Sequence, residues 1–285
     1  MILRNWSVRI GGSALLLLVI LSISAPWLGT VDPSLFDAAS RDLRPGESGE
    51  ILTLDGDTLK HVFRMGSDSF GRDIYSRVLY GTRVSLVVGI ATAALALAFG
   101  IVLGLVAGYL RWLDGPLMRV MDGLMAIPAI LLAISLVALW RAGIGTVIAA
   151  IAITEIPRVT RLVRSLVLSI REEPYVEAAV SLGTPAAKIM FGHILPNCMP
   201  PLLVQGTYIV AFAILVEAIL SFLGVGLPPD IPTWGNIMAE GRVQFVAYPH
   251  NVFFPGVFLA VTVLAVNILG DGLRDTLDPK MAKRV

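Results

Sequence analysis

The chain has 285 residues, 56% of them hydrophobic and 15% charged, with a mean hydropathy of +0.79 and a formal net charge of +1. A soluble domain carries about 25% charged residues, and the shortfall here is concentrated in long runs without charge, so a soluble globular fold is excluded in favour of a polytopic membrane protein. The near-zero charge gives no reason to expect nucleic acid as a partner, the single Cys198 excludes an internal disulfide, and no G-x-x-x-x-G-K-[ST] cradle is present to bind ATP.

Charge-poor runs fall at 11–28, 84–110, 117–140, 143–156, 200–224 and 252–270. About 20 helical residues cross the ~30 Å hydrocarbon core, so six transmembrane helices are expected. The fourth run is short and must borrow Arg158, Leu162 and their neighbours, its arginines snorkelling at the inner interface. With the N-terminus inside, the inner segments carry 13 basic residues, against Arg141 and Arg242 in the short outer loops, so both termini are placed in the cytoplasm. Trp6, Trp27, Trp112, Trp140 and Trp234 all fall near predicted helix ends, where an amphipathic ring sits best. The first run also fits a cleaved signal peptide tolerably, with Arg4 and Arg9 before it and small residues near Ser22–Ala25; an uncleaved first helix is the preferred reading.

The chain then divides into a tail and first helix (1–30), an outer segment (31–83), a core of five helices (84–275) and a cytoplasmic tail (276–285). In the outer segment, 51–59 alternates apolar and polar residues around Asp55-Gly56, the signature of a hairpin over 51–62. Ile74, Arg77, Val78 and Gly81 then recur at helical spacing, which suggests an interfacial amphipathic helix. Arg119 and Asp122 are expected to pair as i, i+3 neighbours. Gly100, Gly104 and Gly108 repeat every four residues, a face that lets two helices approach closely, with a partner either in this chain or in another.

Between the fourth and fifth runs lies an inner segment, 171–196. Tyr175, Ala178, Ala179 and Leu182 form an i, i+3, i+4, i+7 stripe, predicting a short amphipathic helix over 173–182. Gly183 would end it in the left-handed conformation. Thr184 would cap a second helix opening on Pro185. Two short helices about a tight bend make a compact knob, with small alanines on its face and Glu177 as a charged contact. Glu-Ala-Ala by itself is common. The glycine six residues after Glu177, followed by His193-Ile194-Leu195-Pro196 before another span, is far more specific.

This sequence resembles the inner-membrane permeases of the dipeptide/oligopeptide/nickel branch of bacterial ABC importers, specifically the shorter of their two paired permeases. The resemblance spans about 65–280. Its motifs are Gly66-Ser67-Asp68, Gly71-Arg72-Asp73 with Ser76-Arg77, Met118-Arg119 with Asp122, the 171–196 segment, Ser221-Phe222-Leu223-Gly224, Trp234-Gly235-Asn236, and Gly270-Asp271-Gly272-Leu273-Arg274-Asp275. Ser67 stands where the family usually has threonine. Glu155 precedes Ile156-Pro157 where an uncharged residue is expected, and His193 replaces the isoleucine of more distant permeases.

The resemblance implies an all-α fold of the type I importer class in the bacterial inner membrane, without enzymatic activity of its own. It makes 171–196 the EAA loop, with Tyr175, Glu177, Ala178, Ala179, Leu182, Gly183 and Pro196 coupling the permease to its motor. The implied partners are a homologous second permease, two cytoplasmic ATP-binding subunits and an extracytoplasmic solute-binding protein, all in membrane lipid. ATP and magnesium are then expected on the ATPases, with no cofactor in this chain, and His61, His193 and His250 lack the spacing of a metal site. Di- or oligopeptides are the favoured cargo, with nickel complexes or glutathione as alternatives.

Carboxylates inside a span need a partner or a purpose. Glu217 would either line the pathway and meet a peptide's ammonium group or hold helix packing, and Glu155 and Asn267 face the same choice. The rival class is a self-sufficient channel or carrier, but the inverted repeats and broken helices of many carriers are not apparent. A membrane scaffold or receptor is the remaining rival.

Overall fold

The computed structural model describes residues 5–52, 58–141 and 143–277. The Asp55-Gly56 turn and the tail beyond 277 lie outside the described residues. Helix α1 (Trp6–Ser24) is followed by the segment expected to lie outside, which holds strands β1 (Ser48–Leu52) and β2 (Thr58–Val62), then α2 (Ile74–Tyr109). The strands pair antiparallel with Ser48 opposite Val62 and Leu52 opposite Thr58. Next come α3 (Arg111–Met125), α4 (Ala129–Leu139), α5 (Ile144–Ile170), α6 (Pro174–Ser181), α7 (Ala186–Ile189), α8 (Leu195–Phe222), α9 (Trp234–Gly241) and α10 (His250–Leu277).

Six spans are expected from the sequence; among the described residues four helical stretches are each long and apolar enough to cross a membrane, Trp6–Trp27, Ile74–Tyr109, Ala186–Phe222 and His250–Leu277, and the pair α3–α4 makes a fifth if it is one broken span. The third apolar run of the sequence is not one straight helix. Its two halves, α3 and α4, meet at a bend of 89°. Pro128 explains the break, because it lacks an N–H and bars Ile127 from the α region. The fourth run continues without interruption into the charged half of α5, 27 residues in all.

Residues 74–83 are not a separate interfacial helix. They are the first turns of α2, whose 36 residues span ~54 Å. Asp73 caps this helix by accepting from Ser76 N at 2.9 Å. Ile74, Arg77, Val78 and Gly81 are all buried, because α9 and the outer segment cover them. The run from Gly66 to Arg77 folds as one ionic unit. Asp68 accepts from Phe70 N, Arg72 N and Arg72 Nε at 2.9, 3.0 and 2.7 Å. Arg72 also bonds Glu240 on α9, and the wholly buried Arg77 lies 3.4 Å from the same carboxylate. Burial pushes the Glu240 carboxyl above its ordinary range, and Arg77 and Arg72 oppose that shift.

Trp234 departs from the expected interface position: Trp6, Trp27, Trp112 and Trp140 are exposed, and Trp234 is not. It is 0% exposed and donates from Nε1 to Val78 O at 3.3 Å. Asn236 donates to Leu227 O, Pro228 O and Ile231 O, closing the loop between α8 and α9. The expected Arg119–Asp122 pair is also replaced: Asp122 binds Arg161 of α5 at 2.6 Å, while Asp114 binds Arg164 one turn further on. These cross-helix pairs tie α3 to α5.

The glycine face of α2 finds its partner within this chain. A Cβ on Gly100 would stand 2.5 Å from Val159 Cβ, one on Gly104 2.5 Å from Val163 Cβ, and one on Gly108 2.6 Å from Val167 Cβ. Two four-residue repeats therefore mesh in register, glycine against valine. The Thr160 carbonyl would lie 2.8 Å from the Gly104 Cβ, so the helix backbones themselves are close. Gly104→Val should destabilise the folded chain in detergent by about 1–3 kcal/mol through overpacking, seen as a lowered melting temperature. Gly12→Ala, where nothing lies within 4 Å, should leave the melting temperature unchanged or raise it.

Candidate functional site: a projecting helical knob

The valine side of the seam belongs to α5, and α5 leads directly into the knob. At its end Arg171 donates from Nη1 to Gly108 O at 3.2 Å, satisfying a terminal carbonyl of α2. Two residues on, Glu173 takes the N-cap position and Pro174 opens α6, where its missing N–H costs nothing.

The eight residues of α6 bury a different face from the one the periodicity suggested. Val176 and Ala179 point inward, into a cluster with Leu105 of α2, Val163 and Val167 of α5, and Ile189, Ile194 and Cys198. Tyr175, Glu177, Ala178 and Leu182 point outward, and Leu182 is 86% exposed. The helix is apolar on almost every side, so spacing could not distinguish the two faces. Only Ala179 of the predicted stripe is buried. The rest forms a free apolar surface with Glu177 beside it.

Gly183 ends α6 with φ +73°, and two hydrogen bonds complete the motif. Thr184 N donates to Ala179 O at 3.1 Å and Gly183 N to Val180 O at 2.9 Å, the 6→1 and 5→2 bonds of a Schellman cap. Thr184 is not the next cap. Pro185 takes that position with extended backbone, and no side chain caps α7. The helix then widens into a π turn over Met190–Ile194, with Leu195 N reaching back to Met190 O, before Pro196 enters the first turn of α8.

Asn197, which sequence reasoning did not single out, ties the two halves of the knob. Its Nδ2 donates to Tyr175 Oη at 3.1 Å and to His193 O at 2.7 Å. The Tyr175 hydroxyl is pushed above its ordinary range, first by its partial burial and then by Glu173. An Asn one turn into a helix after a proline gave no signal of its own.

The intramembrane polar residues are scattered away from the knob. Glu217 is 0% exposed and accepts from Ser221 Oγ at 2.8 Å. Gly235 of α9 packs against the same turn, where a Cβ would come 2.7 Å from Ala218 Cα. Glu155 is also fully buried and binds Arg158 Nη1 through both oxygens at 2.9 Å. Asn267 is exposed and donates to Val263 O in its own helix. Chemically the knob has no nucleophile–base constellation. What it offers is a rigid projection whose outer face is apolar and whose base is joined to α2, α5 and α8.

Replacing Gly183 by valine places a β-branched residue in the left-handed region and breaks this cap. On the coupling role that the sequence resemblance implies, the expected outcome is a chain that inserts in the membrane but loses solute uptake, either with ATP hydrolysis retained or with the motor subunits no longer co-purifying. Normal uptake by Gly183→Val would remove the coupling role.

Comparison with known proteins adds a family to this geometry. Residues 100–283 match the model of the binding-protein-dependent transport system inner membrane component. A probable peptide ABC transporter permease of Sinorhizobium fredii is 48% identical over 281 residues, covering 99% of this chain and 91% of that protein. A glutathione transport system permease of Pectobacterium atrosepticum is 45% identical over 218 residues, covering 76% of this chain and 72% of that one. Among solved structures, an inward-facing form of the MetNI methionine ABC transporter superposes with a TM-score of 0.59 at 17% identity, covering 71% of this chain and 96% of that one; at that identity the likeness concerns the fold.

Proposed function

The chain belongs to the family of binding-protein-dependent transport system inner membrane components, the permease subunits of ABC importers, and on that premise we propose that its cargo is di- or oligopeptides and that its 171–196 segment couples it to the motor. Permeases of this kind work with ATPases and a solute-binding protein. The finer assignments are a homologous second permease, two cytoplasmic ATP-binding subunits that carry the ATP and magnesium, and cytoplasmic termini in the bacterial inner membrane.

The observation that carries the coupling role is the split of α6 into a buried and a free face. Val176 and Ala179 anchor it, while Tyr175, Glu177, Ala178 and Leu182 remain available to a partner groove. Closure of the ATPases on ATP would push on that face. The displacement would pass through Asn197 to α8 and through the Val163–Val167 packing to α5, biasing the helices between outward-open and inward-open states. Glu217 is assigned to packing. Its carboxylate is sealed between α8 and the α9 segment, and its hydrogen-bond partner is Ser221 of its own helix. Glu217→Ala should therefore lower the melting temperature of the complex without changing the KM for solute.

Peptide cargo is supported by the 48% identity to a peptide permease over nearly the whole chain. Glutathione is the second reading, supported by the Pectobacterium relative. Uptake of labelled dipeptide, oligopeptide, glutathione and nickel should be compared in cells with and without the gene. The expected outcome is loss of peptide uptake alone. Loss confined to glutathione or nickel would keep the machine and replace the cargo.

A further inference from the structure

The sequence places Arg158 at the inner interface, but the structure holds its guanidinium higher, with its surroundings organised around it. It lies 14 residues along α5 from Ile144, ~21 Å below that helix's outer end. Tyr208, which it contacts, lies 14 residues from Phe222, the same depth along α8. Its neighbour Val159 is level with Gly100, nine residues above the inner end of α2. All three helices thus place the guanidinium within the membrane-spanning part of the molecule.

The side chain does not snorkel toward the inner interface. It leans back toward the N-terminal end of α5, the direction helical side chains take. Glu155 holds it there, and its guanidinium carbon lies 5.4 Å and 5.7 Å from the ring centroids of Tyr208 and Phe212. The carboxylate is fully buried, but the Arg158 side chain is 40% exposed. Both Glu155 oxygens and the Tyr208 hydroxyl meet the same nitrogen, Nη1. Among the described residues nothing bonds Nε or Nη2, the edge that binds a carboxylate in bidentate fashion.

A cavity of about 600 Å³ lies one helical turn closer to the inner end. Leu162 of its wall is four residues after Arg158, and Val204 is four residues before Tyr208, so the wall continues the faces that carry the pair. Asn197, Gln205 and Arg274 supply its polar groups. This volume is within the roughly 300–1,000 Å³ of small-molecule sites. An exposed cation at this depth is suited to a water-filled pathway or a subunit contact and is ill-suited to lipid.

We propose that Arg158, positioned by Glu155 and the Tyr208–Phe212 rings, binds the carboxylate of the transported solute as it enters the inner cavity. This rests on the reading of the chain as an importer of peptide-like solutes. Glu155 then acts as a positioning residue, and its presence where an uncharged residue is expected has a physical purpose.

The test uses the complete reconstituted complex in liposomes, with a labelled dipeptide, its C-terminally amidated form and glutathione as probes. Arg158→Gln should raise the KM for the free dipeptide about tenfold while the second permease still co-purifies, and should leave uptake of the amidated form unchanged. Arg158→Lys keeps the charge but loses the fork, and should raise the KM by about threefold; it also serves if the glutamine variant does not fold. An unchanged KM in Arg158→Lys overturns the proposal. So does loss of the second permease from Arg158→Gln, because the carboxylate would then belong to that subunit. A wild-type complex that takes up neither dipeptide nor glutathione removes the cargo reading and this site with it.

Discussion

The close approach of α2 and α5 is the constraint on which the rest of the molecule depends. Within a bilayer, lipid tails are as apolar as leucine, so helices gain little from hiding apolar surface and must instead pack closely. Gly100, Gly104 and Gly108 allow this by removing three Cβ atoms from the seam, and Val159, Val163 and Val167 fill the space with stiff, branched side chains. Because both repeats have a period of four, a slip by one residue would drive valines into helix backbone. The seam therefore fixes the rotation and the height of α5. Through Arg171 on Gly108 O and the valine packing on Val176 and Ala179, it fixes where the knob stands.

The N-terminal end of α2 is held by a different kind of force. Arg77 is wholly buried, and burying an isolated guanidinium would be strongly unfavourable. Asp68, Arg72 and Glu240 surround it, so charge is exchanged within a network that joins the outer segment, α2 and α9. The polar residues of the Gly66–Arg77 run thus serve the architecture of this junction. Trp234 fills the space beneath it and hydrogen-bonds the same helix at Val78. The apolar seam and the ionic junction grip α2 at opposite ends, which is consistent with a single 36-residue helix where the sequence suggested two elements.

Features encoded by local chemistry were legible in the sequence. The left-handed Gly183 is one, since a glycine after an amphipathic run has few other uses, and the small-residue repeat on α2 is another. What spacing could not supply was which partner each residue meets. Asp122 has Arg119 three residues away in sequence, yet its bond goes to Arg161 across the helix pair. Trp234 sits at a helix end like the other tryptophans, but only the fold shows that α9 turns inward against α2. In α6 nearly every side is apolar, and the buried face was decided by what α2, α5 and α8 present to it. The interfacial helix was misread for a related reason. Polar residues at 74–83 suggested a water interface, whereas Ser76 and Arg77 are polar because they bond to Asp73, Asp68 and Glu240 inside the protein.

The proposed coupling role requires a knob that is stiff where it is pushed and compliant somewhere beyond. Stiffness follows from the Schellman cap at Gly183, the Asn197 bridge and the buried cluster beneath Val176. Compliance is set by hydrogen-bond accounting along the helix that leaves it. Pro196, Pro200 and Pro201 lack an N–H, so the carbonyls of Gly192, Pro196 and Asn197 cannot receive their usual helical donor. The π turn over Met190–Ile194 lies directly before them, with its bond running from Leu195 back to Met190. The inner end of α8 therefore has the weakest backbone ladder in that helix, and this stretch also lines the inner cavity through Asn197, Pro200 and Pro201. In contrast, α5 has a single internal proline, Pro157, one residue before Arg158, and below it the helix is clamped by the glycine seam and by Asp122 and Asp114 of α3. On the proposed coupling role, a displacement of α6 would be carried by the clamped half of α5 and absorbed in the first turns of α8. In this geometry, motion at the knob changes the shape of the cavity wall on the α8 side, while the charged group on α5 keeps its place.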